Sequence, residues 1–150
     1  MKVCFDTCSV IDIVGKTDWF FPAYCAYDVA VSLGFSPCLS VTSTTDVCYL
    51  LHSRGIMSRK EARKAIEEVL GLFDLFEITP SDCRQAAQSE MDDYEDALIA
   101  YGAHSAGIDI IVTRNQRDFR KSPVPALTPE DFLRDFKPDD VHYDEAGLFG

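Results

Sequence analysis

Residues 2–12 read KVCFDTCSVID: a short apolar run, KVCF, ends directly in an aspartate, Asp6, with Thr7, Cys8 and Ser9 behind it. A run of that length closed by polar residues reads as a buried β-strand. Asp6 then stands at the carboxyl end of a strand. Taken alone, it is as well explained as a turn residue bonding its own backbone as it is by a functional site, so its meaning depends on what the rest of the chain brings beside it.

Downstream, short apolar segments alternate with helical ones. The aromatic-rich WFFPAYCAYDVAVSLGF (19–35) predicts a helix with Pro22 in an early position and Gly34 as a stop. PCLSVTS (37–43) reads as a second strand, and TTDVCYLLHSRG as a helix capped by Thr44 or Thr45 and ended by Gly55. SRKEARKAIEEVLGLFD has a capping box, Ser58 with Glu61, and apolar residues Ala62, Ala65, Ile66, Val69 and Leu70 at helical spacing. FEIT (76–79) is the expected third strand, followed by helices in TPSDCRQAAQSE, with Pro80 in the first turn, and DDYEDALIAYGAHSAG, ending at Gly107. IDIIVTR (108–114) is a β-branched strand, PAL (125–127) a short last one, and TPEDFLRDF a helix with Thr128 as cap and Pro129 behind it. Strands alternating with helices imply crossover connections. The expected fold is therefore α/β, a three-layer α/β/α sandwich around a central parallel sheet, with one domain over residues 1–136 and an acidic tail over 137–150 that closes on GLFG.

Composition narrows the function. The 150 residues, 47% of them hydrophobic, suffice for one domain with a substantial core. No apolar stretch approaches the roughly 20 residues that span a bilayer, and the N-terminus lacks the order of a signal peptide; the expectation is a cytoplasmic protein with no membrane partner. The six cysteines form no close CxxC pair and lie mostly in apolar runs, which predicts reduced, buried thiols. The three histidines are scattered, against a histidine triad or a His-rich metal centre. A net charge of −11 speaks against a surface that binds nucleic acid all over. Two basic islands remain on this acidic chain: Arg54 to Lys64, and RNQRDFRK, which carries Arg114, Arg117, Arg120 and Lys121. Each is a solvated face by default.

In open parallel sheets ligands bind beyond the carboxyl ends of the strands. Asp6 follows the first strand, Asp46 lies in the first turn of the helix after the second, and Asn115 and Asp118 follow IDIIVT, so topology sends all four to one rim. In DDYED, Asp92 and Asp93 are accounted for as acids complementing a helix N-terminus. Asp96 differs, since Ile99, Ala100 and Ala103 share its face and a carboxylate there needs a partner. The same test gives Asp46 the neighbours Tyr49 and Leu50, which turns it inward. Carboxylates crowded at one rim repel one another, and a divalent cation is the natural neutraliser. All-oxygen donors point to Mg²⁺ or Mn²⁺ and to phosphate chemistry.

FDTCSVID, SVTSTTDVCYLL, DDYEDALIAYGA and IVTRNQRDF followed by PVPALTPEDFL together resemble the PIN domain family of Mg²⁺-dependent ribonucleases, in particular its toxin-type (VapC-like) branch, from Lys2 to about Phe136. The resemblance implies endoribonuclease activity: hydrolysis of an RNA phosphodiester by a metal-activated water, leaving 5′-phosphate and 3′-hydroxyl ends. It implies that Asp6, Asp96 and Asp118 hold the metal, with Asp46 and Asn115 as catalytic residues that orient water. Thr7, Thr113, Arg114 and Arg117 would contact the substrate. The family's second acid is usually a glutamate and is Asp46 here; its fourth falls at Asn115 by the more usual spacing, with Asp118 one turn later. A homodimer and a cognate antitoxin are the implied partners. Two other readings stay open from the residues: a phospho-acceptor at Asp6, disfavoured by Cys8 where dehalogenase-like enzymes carry a second aspartate, and a PIN-like interaction module without catalysis.

Overall fold

The computed structural model describes residues 1–145; the closing GLFG of the expected tail lies outside the described residues. Five strands, β1 (Lys2–Phe5), β2 (Ser36–Ser40), β3 (Asp74–Phe76), β4 (Ile110–Val112) and β5 (Ala126–Leu127), form one sheet in the order β3-β2-β1-β4-β5. Every pairing is parallel, with Val3 opposite Pro37 on one side and Ile110 on the other. The helices are α1 (Thr7–Val14), α2 (Phe20–Ser32), α3 (Ser43–Ser53), α4 (Arg59–Leu72), α5 (Pro80–Gln88), α6 (Tyr94–Ser105) and α7 (Pro129–Phe136), with a 3-10 turn at Gln116–Phe119.

Successive strand residues point to opposite faces, and the core divides accordingly. Val3, Phe5, Leu39, Ile110 and Val112 face α1, α2, α3, α4 and α7, where Ile11, Val29, Leu51, Val69 and Phe132 are buried. Cys4, Cys38 and Ile111 face the other way, against Ala86 of α5 and Ala97, Ile99, Ala100 and Ala103 of α6. This is the three-layer sandwich expected from the alternation of segments. The all-parallel sheet is hydrophobic on both faces because helices cover both.

Element ends are set by caps. Ser58 and Glu61 make the expected capping box of α4, and Thr128 caps α7 ahead of Pro129. The stop glycines Gly34, Gly55 and Gly107 all sit at φ between +71° and +76°, where a side chain is strained. Several boundaries differ from expectation. A separate helix, α1, starts at Thr7, with Asp6 as its N-cap accepting from the Thr7 N–H. β2 ends at Ser40 rather than running on to Ser43, and α3 begins at Ser43, because Thr44 and Thr45 donate their hydroxyls back to the carbonyls of Val41 and Thr42. β3 is Asp74–Phe76, ahead of the predicted FEIT, since Thr79 is spent on a capping box with Asp82 at the start of α5. Tyr143, in the acidic segment after α7, donates its hydroxyl to Asp28 of α2 at 2.7 Å and packs against the first core.

α6 approaches the sheet layer closely at Gly102. A Cβ there would stand 2.2 Å from Ile78 Cδ1 and 3.4 Å from Phe76. Overpacking a core of this kind costs about 1–3 kcal/mol. Alanine also gains about 1 kcal/mol over glycine inside a helix, so the urea midpoint of Gly102→Ala alone is a net of two effects. Ile78→Val in the same chain is expected to raise it, and a double variant no more stable than Gly102→Ala would refute the close packing.

Candidate active site

Three elements meet beyond the carboxyl ends of β1 and β4. Asp6, 3% exposed, is the first residue past β1. Its Oδ1 accepts from the Thr7 N–H (2.8 Å), and its Oδ2 from the Thr113 hydroxyl (2.8 Å) and the Cys8 thiol (3.4 Å). Thr113, fully buried at the end of β4, also accepts from the Asn115 N–H. These donors and the charge of Arg114 favour the carboxylate, yet burial outweighs them and raises the Asp6 pKa. Ser9, expected beside Asp6, donates instead to the Val112 carbonyl.

The first turn of α6 supplies the second group. Asp93 is the N-cap, accepting from the Asp96 N–H at 2.9 Å, which is the helix-start role expected of it. Asp96 is half-buried, and its pKa is pushed up to about 7, first by burial and then by the charges of Asp6, Asp93, Glu95 and Asp118. Glu95 faces the same place. Its Oε1 accepts from the Thr7 hydroxyl at 3.4 Å, and its pKa is raised by burial and by Asp46 and Asp6. Asp6, Thr7, Cys8, Glu95, Asp96 and Asn115, with Ile11, Leu50 and Arg54, line one cavity of about 130 Å³.

Sequence reasoning had passed over Glu95 and Arg54 as site residues. Glu95 was detectable by the test applied to Asp96: three and four residues on it meets Leu98 and Ile99, partly and fully buried. At Asp46 the test is half met: its neighbour Leu50 lines the cavity, whereas Tyr49 is 69% exposed. Asp46 lies in the first turn of α3, as expected, but does not line the cavity; burial alone raises its pKa. Asp118, in the 3-10 turn, reaches Asp96 by its charge and lines a neighbouring cavity with Glu90, Asp92, Arg117, Arg120 and Lys121. Arg114 does not line the active-site cavity. Its Nε donates to Asp12 at 2.7 Å, and its guanidinium lies 5.1 Å from the centre of the Trp19 ring.

Oxygen donors dominate the cavity, no histidine lines it, and its carboxylates raise one another's pKa values. Such a donor set fits a hard divalent cation. As they lie, no three acidic, histidine or cysteine side chains among the described residues gather into a ready-made cage. Asp6 is pinned by its hydrogen bonds, whereas Glu95 and Asp96 sit in a helix's first turn with solvent access. Those two are the side chains free to close on an ion.

A parallel α/β sandwich with carboxylates gathered past its central strands defines a class of acidic-site α/β domains. Within it, this chain belongs to the PIN domain family, whose model matches residues 2–117. The fold is shared with a chain of VapBC2 from Rickettsia felis, solved bound to a DNA fragment from their promoter: TM-score 0.67, 14% identity, covering 85% of this chain and 98% of that one. It is shared also with a chain of DNA-bound VapBC from Salmonella typhimurium (TM-score 0.66, 16% identity, 86% and 98% covered). A chain of a toxin–antitoxin complex from Klebsiella pneumoniae is similar as well (TM-score 0.59, 21% identity, 85% and 97% covered). No curated protein sequence matches the chain significantly. Among the described residues no helix is long and apolar enough to cross a membrane.

Proposed function

We propose that this PIN domain is an endoribonuclease dependent on Mg²⁺ or Mn²⁺, hydrolysing RNA phosphodiester bonds, and that it acts in the cytoplasm as the toxin of a toxin–antitoxin pair. The observation that carries the reading is the convergence of Asp6, Glu95 and Asp96 on one cavity, where burial and mutual repulsion hold Asp96 near pKa 7. Crowded acids of that kind make a site for a cation rather than for an anion. The toxin–antitoxin complexes sharing the fold support the toxin assignment and a cognate antitoxin as partner; a homodimer is proposed alongside them. The domain proper would comprise residues 1–136, with the acidic tail behind it.

Asp6 and Asp96 would hold the cation, with Asp118 reaching in from the adjoining cavity; the bound ion would supply a water of lowered pKa and neutralise charge developing on the phosphate. The chain's own residues supply geometry. The Thr7 N–H and the Thr113 hydroxyl keep the Asp6 carboxylate at one orientation. Asn115 offers a neutral amide at the cavity wall, where it would orient water or a phosphate oxygen, and Asp46 adds negative charge behind Glu95. Arg54 lines the cavity from the end of α3 and would face the scissile phosphate. Arg114 acts through its neighbours, anchoring the turn that presents Thr113 and Asn115.

The decisive experiment is cleavage of structured and unstructured RNA by purified protein with Mg²⁺, with Mn²⁺ and with EDTA. Metal-dependent scission is expected. No cutting under any metal, alongside a stable protein partner, would turn the reading to a non-catalytic interaction module. Exposed Arg117, Arg120 and Lys121 around the adjoining cavities are the expected track for the RNA backbone. Each phosphate contact to a single strand contributes about 0.7 to the slope of log K against log salt. Arg117→Ala with Arg120→Ala, in a chain made inactive at Asp96, should reduce that slope by roughly 1.4, read by fluorescence anisotropy with a labelled single-stranded RNA; an unchanged slope would remove these residues from the interface.

A further inference from the structure

We infer that Glu95, rather than Asp46, is the second carboxylate of the cation site, completing with Asp6 and Asp96 the set that closes on the ion; this rests on the nuclease reading above. By chain order Asp46 is the acid expected in that role. Its carboxylate does not line the cavity, whereas Glu95 lines it with Asp6, Asp96 and Asn115.

Two features bring Glu95 to the place. Consecutive helical residues diverge by about 100°, so Glu95 and Asp96 can serve one site only if that site lies in front of the helix end rather than along its side. The cavity does lie there, because Asp93 caps α6 immediately before Tyr94 and both acids occupy the first turn. The other feature is the tether from Thr7. Its hydroxyl is within hydrogen-bonding reach of Glu95 Oε1 (3.4 Å) and of Ser43 Oγ (3.1 Å), while its N–H holds Asp6. One residue thus registers α6 against the end of β1 and the start of α3. Asp46, one methylene shorter than a glutamate, sits in the first turn of α3 off the cavity wall and meets Glu95 as a charge. A glutamate in the helix's first turn has the length and the freedom to swing toward Asp6.

The test measures cation binding directly. Mn²⁺ is titrated calorimetrically into RNA-free wild-type protein and into Glu95→Gln, Asp46→Asn, Asp6→Asn and Asp96→Asn, with far-UV circular dichroism and melting curves of each variant in metal-free buffer. Glu95 is solvent-accessible, so Glu95→Gln should fold; Glu95→Ala is a second variant for the same position. The expected result is a Kd for Mn²⁺ raised at least tenfold by Glu95→Gln and less than threefold by Asp46→Asn. A larger effect from Asp46→Asn, or Glu95 variants within threefold of wild type while Asp6→Asn loses binding, overturns the assignment of Glu95 and leaves the cation site standing. If Asp6→Asn and Asp96→Asn also bind Mn²⁺ as wild type does, the cation site and the nuclease reading fail together.

Discussion

Asp96→Asn is expected to cut RNA about 10²–10³-fold more slowly than wild type and yet to melt at a higher temperature in metal-free buffer at pH 8. The two effects have one source. On the proposed function Asp96 would hold the cation, whose charge would be worth several kcal/mol to the transition state, and each 1.36 kcal/mol is about tenfold in rate. Without the cation, that charge is a burden: it is half-buried and faces Asp6, Asp93, Glu95 and Asp118. The pH dependence follows in sign. An unfolded-chain value of 3.8 rises in the folded protein to about 7, so between those values the native state binds more protons than the unfolded state. Stability contributed by this group is full below the unfolded value and is lost as pH rises through the folded one. Solvent reaching half the side chain discounts the full shift to about 1–2 kcal/mol, or roughly 3–6 °C in Tm. Melting curves from pH 4 to 8 in EDTA should fall with pH in the wild type and flatten in Asp96→Asn. A variant that is slower and also less stable at pH 8 would show that Asp96 is a structural acid.

The second large effect is expected at Arg114. Its partner Asp12 is 1% exposed, accepts from Arg114 Nε at 2.7 Å and from a terminal guanidinium nitrogen at 3.3 Å, and takes the Thr17 hydroxyl as well. The arginine is 28% exposed and stacks on Trp19. Breaking such a pair is asymmetric, because the penalty falls on whichever charge is left buried. Arg114→Ala strands the Asp12 carboxylate with one neutral donor and should cost about 3 kcal/mol. Asp12→Asn leaves the guanidinium its solvent and its ring, keeps an acceptor oxygen, and should cost about 1 kcal/mol. Arg114→Lys should fall nearer the alanine variant, since an ammonium cannot fork onto both carboxylate oxygens. Urea unfolding followed by the single tryptophan, Trp19, measures all three. Costs that are equal, or below about 0.5 kcal/mol, would place the pair among ordinary surface bridges. Held by Asp12 and Trp19, Arg114 would secure the turn from Thr113 to Asn115, and with it the hydroxyl on Asp6, as proposed above.

Much of this protein was legible in its residues because the signals are local. Short apolar runs, the capping box at Ser58, the cap at Thr128 and the stop glycines follow from one or two turns of chain, and the alternation of segments carries the parallel sheet with it. That Asp6 and Asp96 share one rim was legible, because a strand end and a buried helix face are both written in sequence. Boundaries failed where a hydroxyl was free to serve either strand or helix, as at Thr44, Thr45 and Thr79.

Which groups actually share the cavity was decided by the tertiary structure alone. The rotation of α6 on the sheet, set by Ala97, Ala100 and Ala103 against Cys4 and Ile111, brings Glu95 round to Thr7, while α3 holds Asp46 off the cavity wall. The packing of α1 gives Arg114 to Asp12 and Trp19, residues about a hundred positions away, and so removes it from the cavity that its basic neighbours suggested. Periodicity reports which side of a helix is buried; it carries no information about which distant carboxylate waits there, because that depends on the angle at which two surfaces pack.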